Sequence, residues 1–151
     1  MTSILDDASQ LISVRIGEQE FAIDIMSVRE IRGWTASTPL PHAPHYVRGM
    51  INLRGAVLPV VDLGERLGLA RTEPDKSSVI VVAQIGARMI GLLVDAVCDI
   101  LAAGDGQLQP PPEVGGEDTR DFVRGVMILD GRIISLISLD AILTDELEQA
   151  A

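Results

Sequence analysis

The sequence predicts an all-β protein of two tandem, packed five-stranded barrels, on the strength of an internal repeat, short aliphatic runs and glycine turns. Residues 47–67 align without gaps on residues 123–143, with seven identities at an offset of 123 − 47 = 76. Residues 11–31 align on residues 80–100 at an offset of 80 − 11 = 69, which pairs Gly17 with Gly86. One structural unit is therefore used twice.

Each copy of the repeat contains five short runs rich in Val, Ile and Leu, which is typical of strands. In the first copy the runs fall at 11–16, 21–25, 28–31, 50–53 and 56–61. The turn between the last two is Arg54-Gly55, and its counterpart in the second copy is Asp130-Gly131. Asp-Gly between apolar runs indicates a tight hairpin, because glycine adopts positive φ without steric cost. Five such strands close a core only as a small barrel.

Helical patterns are predicted at two places, and the repeat sets the expected domain boundaries. One helical turn is expected over 63–67, and a longer helix is expected from Leu139 to the C-terminus, with Ser138 as its N-cap. We expect one domain over 10–145, with flexible tails at 1–9 and 146–151. Within it, subdomain 1 spans about 18–77 and subdomain 2 about 78–143, and the N-terminal strand is shared between them.

Composition excludes several classes of partner. The formal net charge is −10, with 22 acidic against 12 basic residues, so the surface repels nucleic acid and anionic lipid. No apolar run approaches the roughly 18 residues of a membrane span, and no signal peptide is evident. Cys98 is the single cysteine, so a reducing cytoplasm is expected. We expect Cys98 to pack as a small apolar residue.

No arrangement of residues in the sequence predicts catalysis, a metal site or a cofactor. The two histidines, His42 and His45, lie in a proline-rich connection without a nucleophile nearby, so both are expected to be exposed loop residues. Four carboxylates are expected to serve as caps or solvated strand ends, namely Asp24, Asp62, Asp95 and Asp140. A non-enzymatic binding protein is expected. A small-ligand-binding β-barrel and a hydrolase using paired carboxylates stay open as alternatives.

Several motifs, in order, resemble the CheW-like family of chemotaxis coupling (adaptor) proteins. They are "FAIDI" (21–25), "VREI" (28–31), "TPLPHAPHYVRG" (38–49), "NLRGAVLPVVDL" (52–63) and "VRGVMILDGRIISLISLD" (123–140). The resemblance implies two SH3-like barrels packed across a shared apolar seam, with no catalytic activity and no cofactor. It further implies a cytoplasmic adaptor, recruited to membrane-associated arrays, that bridges chemoreceptor tips to a CheA-type histidine kinase. Other CheW-like domains are expected partners in rings, and direct membrane insertion is not expected. An adaptor of a non-chemotaxis two-component array is an alternative.

The resemblance also implies two interaction surfaces. The receptor-binding residues carried over by motif are Val28, Glu30, Ile31, Asn52, Arg54, Ser78 and Val79. The kinase-binding candidates lie on the first barrel and are Arg48, Gly49, Val57 and Leu58. The arginine of the first turn is not shared by its counterpart, which is Asp130. Arg54 is expected either to pair with Glu30 or to face a partner, and the two roles are compatible.

Overall fold

The computed structural model describes residues 10–69, 73–110 and 122–142, and these residues are mostly in β-strands. The strands are β1 (Gln10–Ile16), β2 (Gln19–Asp24), β3 (Val28–Gly33), β4 (Val47–Leu53), β5 (Ala56–Asp62), β6 (Val79–Ile85), β7 (Arg88–Val94), β8 (Ala96–Ala102), β9 (Gln107–Gln109), β10 (Val123–Leu129) and β11 (Arg132–Ile137). The predicted all-β class is confirmed. All five strands predicted for the first copy are present.

The strands form two sheets, and each sheet combines strands from both halves of the sequence. From here on, a unit means one sheet and the core that it encloses, not one copy of the sequence repeat. The sheet of the five-stranded unit has the order β3-β6-β7-β5-β4, and that of the six-stranded unit has the order β8-β1-β2-β11-β10-β9. The hairpin β6–β7 of the second half thus completes the sheet of the first half, and the hairpin β1–β2 does the reverse. The boundaries of subdomains 1 and 2 stay a prediction, but sheet membership does not follow them.

The repeat is preserved in the hydrogen-bonded registers of the two units. In the five-stranded unit β5 runs parallel to β7, with Val60 opposite Gly91. In the six-stranded unit β11 runs parallel to β2, with Leu136 opposite Ala22. Val60 corresponds to Leu136 at the offset of 76, and Ala22 corresponds to Gly91 at the offset of 69, so the two pairs are equivalent. The sixth strand is β9, whose counterpart in the first half is reduced to one bridge between Thr38 and Met50.

Three apolar clusters stabilise this arrangement, and the largest lies between the two units. This central core includes Ile12, Phe21, Val81, Leu92 and Ile137, which come from both sheets. Each unit also encloses a smaller inner core of its own. Strand β1 is buried on both faces for this reason, since alternate residues of a strand point to opposite sides. The many aliphatic residues of the sequence thus pack in three separate clusters.

The bounds of two α-helices are described, and both begin where the sequence predicts; two short 3-10 helices span Ile25–Ser27 and Ala103–Asp105. Helix α1 spans Leu63–Arg66 and is capped by the Asp62 carboxylate, which accepts a hydrogen bond from the Glu65 N–H (3.2 Å). Helix α2 spans Leu139–Ile142, and its predicted continuation to the C-terminus lies outside the described residues. Ser138 occupies the N-cap position of helix α2, since its carbonyl oxygen accepts a hydrogen bond from the Ile142 N–H (3.4 Å).

The expectation for Cys98 is wrong. Cys98 is exposed on β8, where Asp99 and Ile100 are exposed as well. Strand β8 is an edge of the six-stranded sheet, and its register with β1 shifts at Cys98, which falls between the paired residues Val97 and Asp99. The alternation of buried and exposed residues expected of a strand does not predict the exposure of Cys98, because three consecutive residues of β8 are exposed. The expectation for His42 and His45 is confirmed, since both are exposed.

Arg66 joins the two halves of the chain next to the central core. Its guanidinium carbon lies 4.4 Å from the ring centroids of both Tyr46 and Phe122. Its Nε and Nη2 atoms donate to the carbonyl oxygens of Ile142 (3.4 Å) and Ala141 (3.5 Å). A planar cation between two rings gains from both faces at once. Arg66 therefore ties helix α1 to helix α2.

We predict that Arg66→Ala lowers the free energy of unfolding by about 2 kcal/mol, because two cation–π contacts and two hydrogen bonds are lost. The free energy of unfolding of Arg66→Lys should lie between those of Arg66→Ala and the wild type, since an ammonium keeps the charge but not the planar stacking. Urea denaturation measures both. An alanine variant within about 0.5 kcal/mol of the wild type would contradict this role.

Candidate functional site

The candidate site lies where the tip of the β4–β5 hairpin meets the edge strand β3. The two turn residues have positive φ, 51° for Arg54 and 90° for Gly55. The Asn52 side chain supports the turn, because its Oδ1 accepts a hydrogen bond from the Gly55 N–H (2.9 Å). Asn52 also lies opposite Val57 across the hairpin. A short, fixed turn thus presents Arg54 at a defined place.

An ion pair connects this tip to β3. Arg54 Nη2 lies 2.5 Å from Glu30 Oε1, and Arg32 Nη1 lies 3.7 Å from Glu30 Oε2. Strands β3 and β4 are the two edges of the five-stranded sheet, so the pair brings opposite margins of that sheet together. The expected pairing of Glu30 with Arg54 is present. The arginine side chain is nevertheless 74% exposed, which leaves most of its surface open to a partner.

Arg54 occupies a backbone conformation that does not suit it. Two-residue hairpin turns with positive φ at both positions favour Asn, Asp or Gly, because other side chains crowd the backbone there. Asp130 occupies the equivalent position of the six-stranded unit, also with φ 51°, and it fits this preference. The arginine therefore adds a local cost to the turn. The stability of the turn therefore does not explain why an arginine is present at position 54.

Exposed aliphatic side chains accompany the charged pair. Ile31 on β3 is 46% exposed and Val57 on β5 is 63% exposed, although both are large and apolar. We call Glu30, Ile31, Asn52 and Arg54 the rim patch, and Val57 lies beside it, opposite Asn52 across the hairpin. It combines exposed apolar surface with oriented charge, the composition of a protein-binding surface rather than of a reaction centre.

The other three receptor-binding candidates are less accessible. Val28 and Val79 are partly buried against the central core. Ser78 is buried, its hydroxyl accepts a hydrogen bond from the Asp75 N–H (2.9 Å), and its carbonyl oxygen accepts one from the Trp34 N–H (3.1 Å). The Ser77 hydroxyl and N–H, both donating to the Asp75 carboxylate, lower the pKa of that carboxyl. Ser78 belongs to a turn that positions the start of β6.

The kinase-binding candidates separate into one exposed and three enclosed residues. Val57 is exposed, as described above. Arg48 is only 12% exposed and lies 3.8 Å from the buried Asp62 carboxylate. Gly49 has φ 150°, and a Cβ there would meet the Thr38 carbonyl oxygen at 2.4 Å. Leu58 is part of the inner core of the five-stranded unit. The geometry gives these three structural roles.

A second exposed apolar pair was not predicted from the sequence. Ile100 on β8 is 57% exposed and Ile133 on β11 is 67% exposed. They correspond to Ile31 at the offset of 69 and to Val57 at the offset of 76. We call Ile100 and Ile133 the second apolar face. The repeat alignment held the signal for it, since both pairs are large aliphatics at equivalent positions.

The charges beside the two apolar faces differ. The counterparts of Glu30 and Arg54 in the six-stranded unit are Asp99 and Asp130. An ion pair on one unit therefore corresponds to two carboxylates on the other. Such a difference allows the two faces to select different partners, because like charges that meet across an interface oppose binding.

Metal-binding clusters and membrane-spanning helices are both absent from the described residues. These residues hold no cluster of three or more His, Cys, Asp or Glu side chains placed to bind a metal ion. A cleft of about 720 Å³ is lined by residues of the β1–β2 hairpin and of the segment before β6, including Arg15, Glu18 and Asp75. Among the helices of the described residues, none has the length and apolar character that a bilayer crossing requires.

Comparison with known proteins identifies the family. The family described as "CheW-like domain" matches residues 10–147. The chain belongs to the CheW-like family. It is 54% identical to the chemotaxis protein CheW of Rhizobium meliloti over 94% of this chain and 92% of that protein. It is 51% identical to a probable chemotaxis protein CheW of Rhizobium etli over the same shares.

A solved structure of the CheW-like family agrees with the fold. The crystal structure of the scaffolding protein TtCheW from Thermoanaerobacter tengcongensis superposes with a TM-score of 0.79 at 32% identity. The match covers 87% of this chain and 89% of that one. The two-sheet arrangement is therefore that of a CheW-like scaffold protein, and the resemblance stated from the motifs is confirmed.

We predict that Arg54→Asn does not destabilise the protein and raises the free energy of unfolding by up to about 1 kcal/mol. The gain in the turn exceeds the loss of an exposed ion pair. Asp130→Asn is the matched control, because aspartate already suits the same turn, and it should change little. Thermal and urea denaturation measure both variants. A loss of more than about 1 kcal/mol in Arg54→Asn would show that the ion pair stabilises the fold.

We predict that Gly49→Ala lowers the free energy of unfolding by about 3 kcal/mol, because the new Cβ meets the Thr38 backbone and the φ of 150° is strained. Gly33→Ala is the control, since Gly33 has open space and no positive φ. Urea denaturation should separate the two variants clearly. Equal stabilities would rule out the structural role of Gly49.

Proposed function

We infer that this CheW-like protein is a non-enzymatic adaptor that couples the cytoplasmic tips of chemoreceptors to a CheA-type histidine kinase. The observation that carries this inference is the rim patch, where an exposed arginine is held in an unfavourable turn conformation beside exposed aliphatics. A residue kept against its local preference indicates a role in binding. Family membership supplies the class of partner.

The receptor contact is assigned to the rim patch. A receptor tip is an amphipathic helical hairpin, and its apolar stripe fits a surface presenting Ile31 and the hairpin tip. Arg54 adds a directed charge whose position is fixed by Glu30. Val28, Ser78 and Val79 position strands β3 and β6 behind this surface. Asn52 acts by holding the turn.

The kinase contact is assigned to apolar faces further along the two units. On the five-stranded unit we retain Val57 and attribute structural roles to Arg48, Gly49 and Leu58. The second apolar face offers the further contact that a bridging protein requires. Single contacts of this size are weak, so an array of linked contacts is needed to give strength. The same faces suit other CheW-like domains in a ring.

The location follows from this assignment. The protein acts in the cytoplasm and is recruited to membrane-associated arrays through the receptor, without insertion into the bilayer. No cofactor and no catalytic step are required. A pull-down from the native cytoplasm identifies the bound receptor and kinase, and it distinguishes a chemotaxis array from another two-component array.

Receptor coupling is tested with charge reversals. Arg54→Glu should abolish co-sedimentation with receptor-bearing membranes, because the directed positive charge is inverted. The double variant Glu30→Arg with Arg54→Glu restores an internal ion pair but not the charge offered to the receptor, so it should stay inactive. Asp130→Arg is the control at the equivalent turn and should co-sediment normally.

Two outcomes would contradict the receptor assignment. Full recovery in the double variant would show that only the internal ion pair matters. Normal co-sedimentation of folded Arg54→Glu would show that the receptor binds elsewhere. Circular dichroism and a thermal midpoint near that of the wild type establish that each variant is folded.

Kinase coupling is tested at the apolar faces. Val57→Ser and Ile133→Ser should each weaken binding to the kinase regulatory domain by about tenfold, because an exposed aliphatic contact is lost. Ile31→Ser should affect receptor co-sedimentation more than kinase binding. Isothermal titration with the isolated regulatory domain measures the kinase side. If neither Val57→Ser nor Ile133→Ser changes the kinase affinity, the kinase surface is wrongly assigned.

A further inference from the structure

The outer edge of strand β4 is left open beside the rim patch. In the six-stranded unit β9 covers the equivalent edge of β10, where Ile128 lies opposite Gln107. In the five-stranded unit that pairing is reduced to the isolated bridge between Thr38 and Met50. Asn52 is the counterpart of Ile128 at the offset of 76. The edge that β9 covers in one unit is therefore uncovered at Asn52 in the other.

The backbone N–H and C=O groups of Asn52 point outward along this edge. The Met50 N–H donates to the Thr38 carbonyl oxygen (2.8 Å), and the Thr38 N–H donates to the Met50 carbonyl oxygen (2.9 Å). Met50 lies opposite Pro59, which has no N–H, so its backbone groups face away from β5. Residues two apart on an antiparallel strand direct their backbone groups to the same side. Those of Asn52 therefore face away from β5 as well.

These two groups are available to a partner. The bridge at Met50 is isolated, and residues 34–37 pair with no strand, so within the described part of the chain nothing bonds to the Asn52 backbone on this side. The Asn52 side chain is occupied, because its Oδ1 accepts the hydrogen bond from the Gly55 N–H. Asn52 is also exposed. A donor and an acceptor thus reach the surface together within the rim patch.

The length of the open edge selects the kind of group that fits it. The edge is bounded on one side by the Thr38 bridge and on the other by the turn that begins at Arg54, where φ is 51°. An added strand bonds to every second residue of an edge, and only Asn52 is open here, so a strand gains one bonded residue and meets the segment at Thr38. A single carboxamide, from Asn or Gln, supplies one acceptor and one donor. A helix can offer such a pair only from a side chain, because its own backbone groups are bonded within it.

We propose that the backbone N–H and C=O of Asn52 bind a carboxamide side chain on the receptor tip, next to the contacts made by Ile31 and Arg54. This inference rests on the proposed function and adds the chemistry of the receptor group to it. A carboxylate is a poor substitute, because it has no donor for the Asn52 carbonyl oxygen. The six-stranded unit cannot bind the same group, since β9 occupies the edge at Ile128. The open edge therefore directs the receptor to one unit.

Hydrogen exchange tests the open edge directly. In the free protein the Asn52 amide should exchange at least about 100-fold faster than those of Met50 and Ile128, which face Thr38 and Gln107. With receptor in nanodiscs at saturation, exchange at Asn52 should slow by about tenfold. Protection of the Asn52 amide in the free protein, or an exchange rate that saturating receptor does not change, would overturn the proposal.

A pair of substitutions isolates the N–H group. Asn52→Ala removes the side-chain support of Gly55 but keeps the N–H, so it sets the baseline. Asn52→Pro removes the N–H as well, and proline is tolerated at an edge position whose N–H faces away from the ladder. Its affinity for receptor-bearing membranes should be about tenfold weaker than that of Asn52→Ala, at a similar melting temperature. Equal affinities of the two folded variants would overturn the proposal.

The receptor side is tested by replacing each exposed Asn and Gln of the tip with Ala. One replacement should weaken binding by about tenfold with Asn52→Ala and by less than about twofold with Asn52→Pro, where one of the two bonds is already lost. Equal effects in both backgrounds for every carboxamide would overturn the proposal. If Asn52→Pro does not fold, the exchange experiment decides.

Failure of this inference is separable from failure of the proposed function. If Arg54→Glu loses co-sedimentation while Asn52→Pro binds like Asn52→Ala, the receptor assignment stands and the carboxamide site is wrong. If all three folded variants bind the receptor normally, both are wrong.

Discussion

The structure depends on the central core, which is the surface that the two units bury against each other. A unit of about 60–70 residues buries so little apolar surface that it would be only marginally stable alone. Here each unit receives a hairpin from the other half of the chain, so Phe21 and Val81 face the central core from sheets that neither half could complete. Folding of one unit therefore requires the other. Residues such as Arg66 and Ser78 then fix how the pieces meet.

The candidate site inherits its shape from this exchange. Strand β3, which carries Glu30 and Ile31, is hydrogen-bonded to β6 of the second half. The β4–β5 tip, which carries Arg54, belongs to the first half. A surface composed in this way is rigid, because it spans hydrogen-bonded strands and one tight turn. Rigidity favours binding, since little side-chain or loop freedom is lost when a partner docks.

Much of this was visible in the sequence, and the reasons are specific. Apolar runs and turn glycines located the strands, and the unequal counterparts Arg54 and Asp130 marked the tip as special. The exchange of hairpins was not predictable, because both hairpins follow the same alternating pattern and fit either sheet by that criterion. Burial of Arg48 and Leu58 was missed for a different reason. Motif similarity carries over positions but does not distinguish a residue that forms a surface from one that supports it.

The two hairpin tips carry different charges, so the two units are not electrostatically equivalent. On the five-stranded unit Glu30 is paired with Arg54 and Arg32, whereas the corresponding positions of the six-stranded unit, Asp99 and Asp130, are both acidic. Two copies joined acid face to acid face would repel, so a twofold arrangement through that face is disfavoured. Head-to-tail joining, in which unlike faces meet, is the arrangement that such a molecule can repeat. A pseudo-symmetric fold with unlike charges on its two units is thus suited to directional rather than twofold contacts.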